Sequence, residues 1–122
     1  MAAPAIQPQW HVMPQRIRTL ARVLPAAIHE QALCKSADVG DGSVVGAYAY
    51  VTDGAVIGAE CRIGASAQIE GLLGDGVIVE RGALVARGVR VGDHAIVRDG
   101  SFVLSDVPAR AIVSGNPARI IA

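Results

Sequence analysis

The sequence predicts an all-β protein built as a parallel β-helix, and three observations lead to this fold class. Aliphatic side chains recur every six residues, small residues recur at a fixed offset from them, and glycine is frequent in between. Aromatic residues make up only 3% of the chain although 52% is hydrophobic, so the core must consist of Val, Ile, Leu and Ala. Such a uniform aliphatic interior is typical of a repeat protein.

The aliphatic series begins at Leu33 and advances by six residues, with one step of four. Its members are Leu33, Val39, Val45, Val51, Ile57, Ile63 and Ile69, then Leu73, Val79, Val85, Val91, Val97 and Val103. An amphipathic helix would need a period near 3.6 and would disfavour so much glycine. We therefore expect these side chains to point inward and to stack between strands about 4.8 Å apart. With three hexapeptides to a turn, residues 33–107 supply about four coils.

A second series of small or β-branched residues follows four positions after each aliphatic residue. It comprises Ala37, Ser43, Ala49, Ala55, Cys61, Ala67, Val77, Ala83, Val89, Ala95, Ser101 and Val107. These residues should sit inside the corners, where the chain bends and space is scarce. Glycines such as Gly42 and Gly76 should take the turn positions, because glycine tolerates positive φ. The short step from Ile69 to Leu73 predicts a tightened corner within the coil. We expect that the fold simply tolerates this corner, and a functional role is the less favoured alternative.

The two ends of the chain depart from the repeat. Residues 1–30 form an N-terminal segment in which Pro14 and Pro25 bound a stretch with helical spacing, and this predicts a short helix capping the β-helix. Residues 31–108 form the β-helix. Residues 109–122 form a C-terminal tail, whose prolines and glycine predict an extended strand and a turn that run back along the outer wall.

Charge and composition exclude several classes of partner. The chain has 11 basic and 11 acidic residues and a formal net charge of zero, so no basic surface for nucleic acid or an anionic membrane is expected. We find no secretory leader and no long apolar run, and we expect a cytoplasmic location. The two cysteines, Cys34 and Cys61, constitute neither a disulfide framework nor a zinc site.

The repeat and the C-terminal run DVPARAIVSGNPARII, from Asp106 to Ile121, resemble the hexapeptide-repeat acyltransferase superfamily. The opening from Ile28–His29–Glu30 to Val45 resembles its nucleotide-sugar N-acetyltransferase branch, and the resemblance covers about residues 28–122. It implies a left-handed β-helix, a homotrimer and acetyl-CoA in the groove between subunits. It also implies acetyl transfer to an amino or hydroxyl group of a small acceptor such as a nucleotide sugar.

The resemblance further implies a histidine that acts as general base, a role suited to a group whose pKa lies near neutrality. His11 lies in the irregular N-terminal segment and His29 precedes the first coil, so we interpret neither as catalytic. His94 is the candidate base, because it occupies a turn position that glycine fills in neighbouring repeats and should project outward. The alternative is an ordinary polar turn residue.

Candidate cofactor-binding residues follow from the same resemblance. They are Gly82, Ala83, Gly100, Ser101 and, in the tail, Arg119, whose guanidinium suits a CoA phosphate. A surface ion pair is the alternative for the arginine. The units Val79–Gly82 and Val97–Gly100 carry charged residues where the family often has small ones.

The fold is compatible with two other functions. The gamma-class carbonic anhydrases share this fold and bind zinc through three histidines, but this repeat contains only His94, so we predict no metal site. The repeat also lacks the loop with which related acetyltransferases usually carry their catalytic histidine. A catalytically reduced structural or assembly module is therefore the alternative to a CoA-dependent acetyltransferase.

Overall fold

The computed structural model describes residues 24–122, which form a parallel β-helix of very short strands. Most strands hold two residues, because the six-residue period leaves room only for a strand and a corner. The strands are β1 Ala27–Ile28, β2 Leu33–Cys34, β3 Val44–Val45, β4 Tyr50–Val51, β5 Val56–Ile57, β6 Arg62–Ile63, β7 Gln68–Ile69, β8 Leu72–Leu73, β9 Ile78–Val79, β10 Leu84–Val85, β11 Arg90–Val91, β12 Ile96–Val97, β13 Phe102–Val103, β14 Ile112–Gly115 and β15 Ala118–Ile120.

The strands form three sheets that the chain visits in turn. Sheet A has the order β1-β3-β6-β9-β12-β14-β15, sheet B the order β13-β10-β7-β4-β2 and sheet C the order β11-β8-β5. Single bridges from Val39 to Ile57 and from Val91 to Val107 extend sheet C at its two ends. All pairings are parallel except that of β14 with β15. The predicted fold class is therefore confirmed.

The solenoid has about five turns rather than the predicted four. The difference arises at both ends of the periodic region. β1 pairs with β3 before the repeat begins at Leu33, and β14 pairs with β12 after the repeat ends at Val107. The predicted tail from residue 109 thus first completes another coil, and Ala111 and Val113 are buried in the common core.

The inward columns follow the predicted register from Val45 onward. Sheet A contributes Val45, Ile63, Val79, Val97 and Val113, sheet B contributes Val51, Ile69, Val85 and Val103, and sheet C contributes Ile57, Leu73 and Val91, all buried. Small residues such as Ala49, Ala67 and Ala83 fill the corners and are also buried. Each coil covers the apolar face of the one before it, so burial accumulates with the number of coils.

The first repeat is shifted by one residue relative to the prediction. Leu33 pairs with Tyr50 and is 54% exposed, whereas Cys34 pairs with Val51 and packs against the core. In the following corner Ala37 is likewise exposed, and Ser36 takes the inward place with its Oγ donating to Ala55 O at 2.6 Å. The cause is a corner one residue short, because the chain takes five residues from Cys34 to Val39 instead of six.

The C-terminal tail contains the predicted strand and turn, but it does not lie on the outer wall. β14 continues sheet A, the chain turns at the cis peptide Asn116–Pro117, and β15 pairs antiparallel with β14. Ile121 N donates to Ile112 O at 2.7 Å, so the final residues stay at the same edge. The tail therefore closes the C-terminal end of sheet A. The predicted helix between Pro14 and Pro25 falls almost entirely outside the described residues.

Candidate functional site

The turns between sheets A and B, here called the A–B corner, hold most of the predicted cofactor-binding residues. Gly82 and Gly100 occupy equivalent positions on successive coils, with φ of 71° and 65°. A Cβ built on either glycine would meet no heavy atom within 4 Å, so this edge is open. Gly100 N donates to Arg81 O at 2.9 Å and links the two coils. A ligand could approach the backbone here without displacing protein atoms.

The two residues that follow these glycines face the core instead of this edge. Ala83 is 0% exposed and Ser101 is 1% exposed. Ser101 Oγ accepts a hydrogen bond from Gly115 N at 3.2 Å, which fixes the β14–β15 hairpin against the corner. Arg119 pairs with Ser114 in that hairpin and is exposed. The side chains of Ala83 and Ser101 thus serve packing and hairpin anchoring, and only the backbone at these positions borders the edge.

A groove of about 410 Å³ runs beside the A–B corner along the outer face of sheet A. Its floor includes the apolar side chains Val44 and Ile78, and two cations, Arg62 and Arg81, line it. A Cβ on Gly64 would approach Arg81 N to 2.7 Å, so glycine at this position lets the next coil stack closely at the edge of the groove. The groove therefore combines an apolar floor with two guanidinium groups.

Carboxylates also line the groove, at positions where the sequence carries charge instead of small residues. Glu80 Oε1 accepts from Arg98 Nε at 3.1 Å and from Asp99 N at 3.0 Å. The Arg98 and Glu80 side chains of this ion pair are 52% and 35% exposed. The carboxylate thus binds the next coil's corner, and it leaves Arg62 and Arg81 as the cations of the groove.

His94 lies at the turn between sheets C and A, the C–A corner, on the opposite edge of sheet A. Its φ is 60°, it is exposed, and its N–H donates to Asp75 O at 2.8 Å. The imidazole lies over Gly76, where a Cβ would collide with Nδ1. The predicted outward turn position is confirmed, but one protomer does not bring His94 together with Gly82 and Gly100.

Aspartates reinforce the same C–A corner. Asp75 Oδ1 accepts from Ala59 N at 2.8 Å, and Asp93 Oδ1 accepts from Asp75 N at 2.9 Å. Each carboxylate thus caps a corner N–H of the preceding coil, which water would otherwise have to satisfy. The fixed corners hold His94 in one place along the axis.

Two arginines of the groove, Arg62 and Arg81, were not among the residues expected from the sequence. Arg62 stands directly before an inward aliphatic residue, a position that alternation places on the outer face of a strand. That signal alone could have identified it. Arg81 faces the same groove because one turn of the solenoid places Ile78 beside Arg62, and Arg81 follows in the next A–B corner.

Three further features concern metal binding, the cysteine and membrane helices in residues 24–122. This part of the chain holds no group of three His, Cys, Asp or Glu side chains placed to bind a metal ion. Cys61 is fully buried with Sγ 3.0 Å from Gly74 O, and burial raises the pKa of its thiol above the ordinary value. No helix in the described residues is long and apolar enough to cross a membrane.

Comparison with known proteins gives matches across most of this region. Residues 36–71 match the family model described as bacterial transferase hexapeptide (six repeats). YvoF of Bacillus subtilis (strain 168), provisionally named as an acetyltransferase, is 36% identical over 83 residues, which are 68% of this chain and 45% of that protein. The 2,3,4,5-tetrahydropyridine-2,6-dicarboxylate N-acetyltransferase of Staphylococcus aureus (strain JH9) is 46% identical over 50 residues, 41% of this chain and 21% of that enzyme.

Solved structures give the same result for the fold. A hexapeptide-repeat-containing acetyltransferase from Vibrio cholerae superposes with a TM-score of 0.75 at 23% identity, covering 80% of this chain and 69% of that one. A mutant GDP-perosamine N-acetyl transferase from Caulobacter crescentus, in complex with CoA and GDP-perosamine, gives a TM-score of 0.58 at 28% identity over 88% of this chain and 63% of that one. The chain spans less than half the length of both curated relatives. The resemblance to hexapeptide-repeat acyltransferases is confirmed in sequence and fold.

Proposed function

We propose that this hexapeptide-repeat chain transfers the acetyl group of acetyl-CoA to an amino or hydroxyl group of a small acceptor. The groove beside the A–B corner is the observation that carries the proposal. It offers two arginines, an apolar floor and two open glycines along one edge. The named relatives that cover most of this chain are acetyltransferases, which supports the same reaction class.

The groove fits the chemistry of CoA. A guanidinium pairs well with phosphate, and Arg62 and Arg81 would hold the phosphates of the nucleotide end. The pantetheine arm is long and thin, and Val44 and Ile78 would line it while the open backbone at Gly82 and Gly100 allows close approach. Arg119 would add a third cation from the hairpin. Acetyl-CoA supplies an acyl thioester. The acceptor attacks its carbonyl carbon, the C–S bond breaks, and CoA leaves as a thiolate that takes up a proton.

His94 is our candidate for the general base. It would accept the proton of the acceptor amine or hydroxyl as that group attacks, a step that needs the imidazole within hydrogen-bond distance of the acceptor. Within one protomer His94 and the groove border opposite edges of sheet A. The catalytic arrangement therefore requires a neighbouring protomer to present its His94 to the groove.

A homotrimer would meet this requirement, and the outer face of sheet B supports association. Leu33, Tyr50, Leu84 and Phe102 follow one another up this face, with Gln68 between them. Leu33 is 54% exposed in the single chain, and the others are partly exposed. A largely apolar face of this kind is typical of a protein–protein interface. Sedimentation should give a mass near three times that of the chain, and a stable monomer would contradict the proposal.

The acceptor would be a small molecule, with a nucleotide sugar as the first candidate. The opening from Ile28 to Val45 resembles the nucleotide-sugar branch, and the Caulobacter crescentus relative acts on GDP-perosamine according to its name. Neither nucleic acid nor membrane is proposed as a partner. The cytoplasmic location expected from the sequence also stays a prediction.

A second candidate function is that of a structural or assembly module without acetyltransferase activity. The ion pair of Glu80 with Arg98 favours this candidate. Its carboxylate occupies the groove side of the A–B corner, where a small residue would leave more room for pantetheine. An assembly module would keep the apolar face of sheet B and would not need an open groove.

A thermal-shift titration with acetyl-CoA separates the two candidates. Ligand that binds only the folded state raises its stability by about 2.7 kcal/mol at one hundred times the Kd. We expect acetyl-CoA to raise the melting temperature, and Arg81→Ala to weaken its binding at least tenfold. Arg90→Ala, which removes a cation from sheet C outside the groove, is the matched control. A flat response to acetyl-CoA and to CoA would exclude the transferase.

The role of His94 is tested by His94→Asn, because asparagine tolerates positive φ at the same turn position. Acetyl transfer to an acceptor found by screening should fall at least a hundredfold while acetyl-CoA binding is retained. Unchanged turnover would remove His94 from the mechanism and leave the groove assignment intact.

A further inference from the structure

The shortened corner between β7 and β8 opens a notch on the side of the solenoid where sheets B and C meet. The chain passes from Ile69, the end of β7, to Leu72, the start of β8, through Glu70 and the buried Gly71 only. The coils on either side make full corners, at Asp53–Gly54 and at Arg87–Gly88. Two missing residues thus leave a gap between two projecting turns.

This gap, the B–C notch, has a volume of about 240 Å³. Thr52 and Asp53 line it from one neighbouring coil, Glu70 and Leu72 form its base, and Arg87 lines it from the other coil. Gly54 and Gly88 also border it, and a Cβ on either would meet no heavy atom within 4 Å. The positions that flank these corners are joined between coils by backbone hydrogen bonds, from Thr52 N to Ile69 O and from Leu72 N to Val89 O, and these bonds hold the sides of the notch in place.

Opposite charges face the notch without pairing. Among residues 24–122 the single ion pair within 4 Å joins Arg98 to Glu80, so Arg87 is bonded to neither Asp53 nor Glu70. Glu70 Oε2 accepts one long hydrogen bond of 3.4 Å from Gln68 Nε2. Charges held apart across a small cleft can be bridged by a ligand that carries the complementary charges at its own two ends.

We propose that the B–C notch binds a small α-amino acid zwitterion. The guanidinium of Arg87 matches a carboxylate in two parallel hydrogen bonds, and the carboxylates of Asp53 and Glu70 accept from an ammonium group. Leu72 and the flanking glycines leave space for a short side chain. The volume is below that of usual drug-sized sites, which favours a ligand of a few heavy atoms. The site lies on another corner than the groove, and the proposal does not depend on acetyl transfer.

Binding is measured with the full chain by isothermal titration, using three small probes that differ in which of the two charges they carry. L-Alanine carries both charges, N-acetyl-L-alanine lacks the ammonium and L-alaninamide lacks the carboxylate. We expect L-alanine to bind at least tenfold more tightly than either analogue. Equal binding of L-alaninamide would reduce the notch to a cation site and overturn the proposal, as would no binding of any probe.

Two variants locate the binding in the notch. Arg87→Ala should weaken the binding of L-alanine at least tenfold. Arg90→Ala should leave this affinity unchanged, because Arg90 is a nearby cation that does not line the notch. An Asp–Gly dipeptide inserted after Glu70 restores the six-residue period and fills the gap, so it should abolish binding while circular dichroism shows a folded β-helix. L-Alanine affinity unchanged in the Arg87 variant or in the insertion variant would place the binding elsewhere.

Discussion

Replacing Gly71 by alanine tests how the short corner is built. A Cβ at this position would fall inside van der Waals distance of Val89 O and 2.7 Å from Ala86 O. Neither carbonyl is free to move. Val89 O accepts from Leu72 N at 2.8 Å, and Ala86 O accepts from Val89 N at 3.2 Å. The added methyl group must therefore displace two backbone oxygens, one that joins adjacent coils and one that closes the turn from Ala86 to Val89.

The magnitude follows from these contacts. Overpacking in a close-packed site costs about 1–3 kcal/mol, and each weakened hydrogen bond costs about 1 kcal/mol net. We expect Gly71→Ala to lower the free energy of unfolding by about 3 kcal/mol, which lowers the melting temperature of a chain this size by about 10 °C.

Gly54→Ala is the matched control, because Gly54 borders the same notch but has no heavy atom within 4 Å of its built Cβ. Its backbone lies outside the left-handed region, so alanine fits without strain. Alanine should raise the free energy of unfolding by about 0.5 kcal/mol, because it lowers the conformational entropy of the unfolded chain. Urea unfolding followed by circular dichroism measures both variants at one protein concentration. A loss below about 0.5 kcal/mol for Gly71→Ala, or an equal loss in both variants, would refute the steric argument.

Two further predictions concern other parts of the solenoid. A thiol reagent at about pH 8 should label Cys34 in the folded chain and Cys61 only after unfolding. Because burial raises the pKa of the Cys61 thiol in the folded state, the unfolded state releases this proton at a lower pH than the folded state does. The free energy of unfolding should then fall as pH rises through the ordinary thiol range, and Cys61→Ala should reduce that fall. At the groove, Arg98→Ala should cost about 0.5 kcal/mol or less in urea unfolding, since the ion pair is exposed, whereas Glu80→Ala should cost about 1 kcal/mol because the carboxylate also bonds Asp99 N.

The sequence predicted the interior because one rule governs it. From Val45 to Val103 the six-residue period decides which residue points inward, and a coil that broke this rule would bury a turn. The prediction failed at Leu33 because the next corner is one residue short. Leu33 and Cys34 are both apolar, so composition could not tell which of the two faces the core.

The candidate site was less accessible to sequence reasoning, because it depends on residues one full turn apart. The turn position of His94 was predicted from the glycine that replaces it one coil away. The groove between Arg62 and Arg81 and the charges around the B–C notch required the sheet register. A deletion at Glu70–Gly71 is visible in the sequence, but the two charged corners that it exposes are visible only in the fold.

The antiparallel hairpin at the C-terminus has a consequence for how copies of this chain meet. A parallel solenoid ends in unpaired strand edges, and such edges can recruit further strands and grow into fibres. In the described chain β15 turns back on β14 and uses the edge of sheet A for itself, while its exposed Ile120 faces outward. The edge of β14 is thereby covered, and addition of a strand from another chain to that edge is opposed.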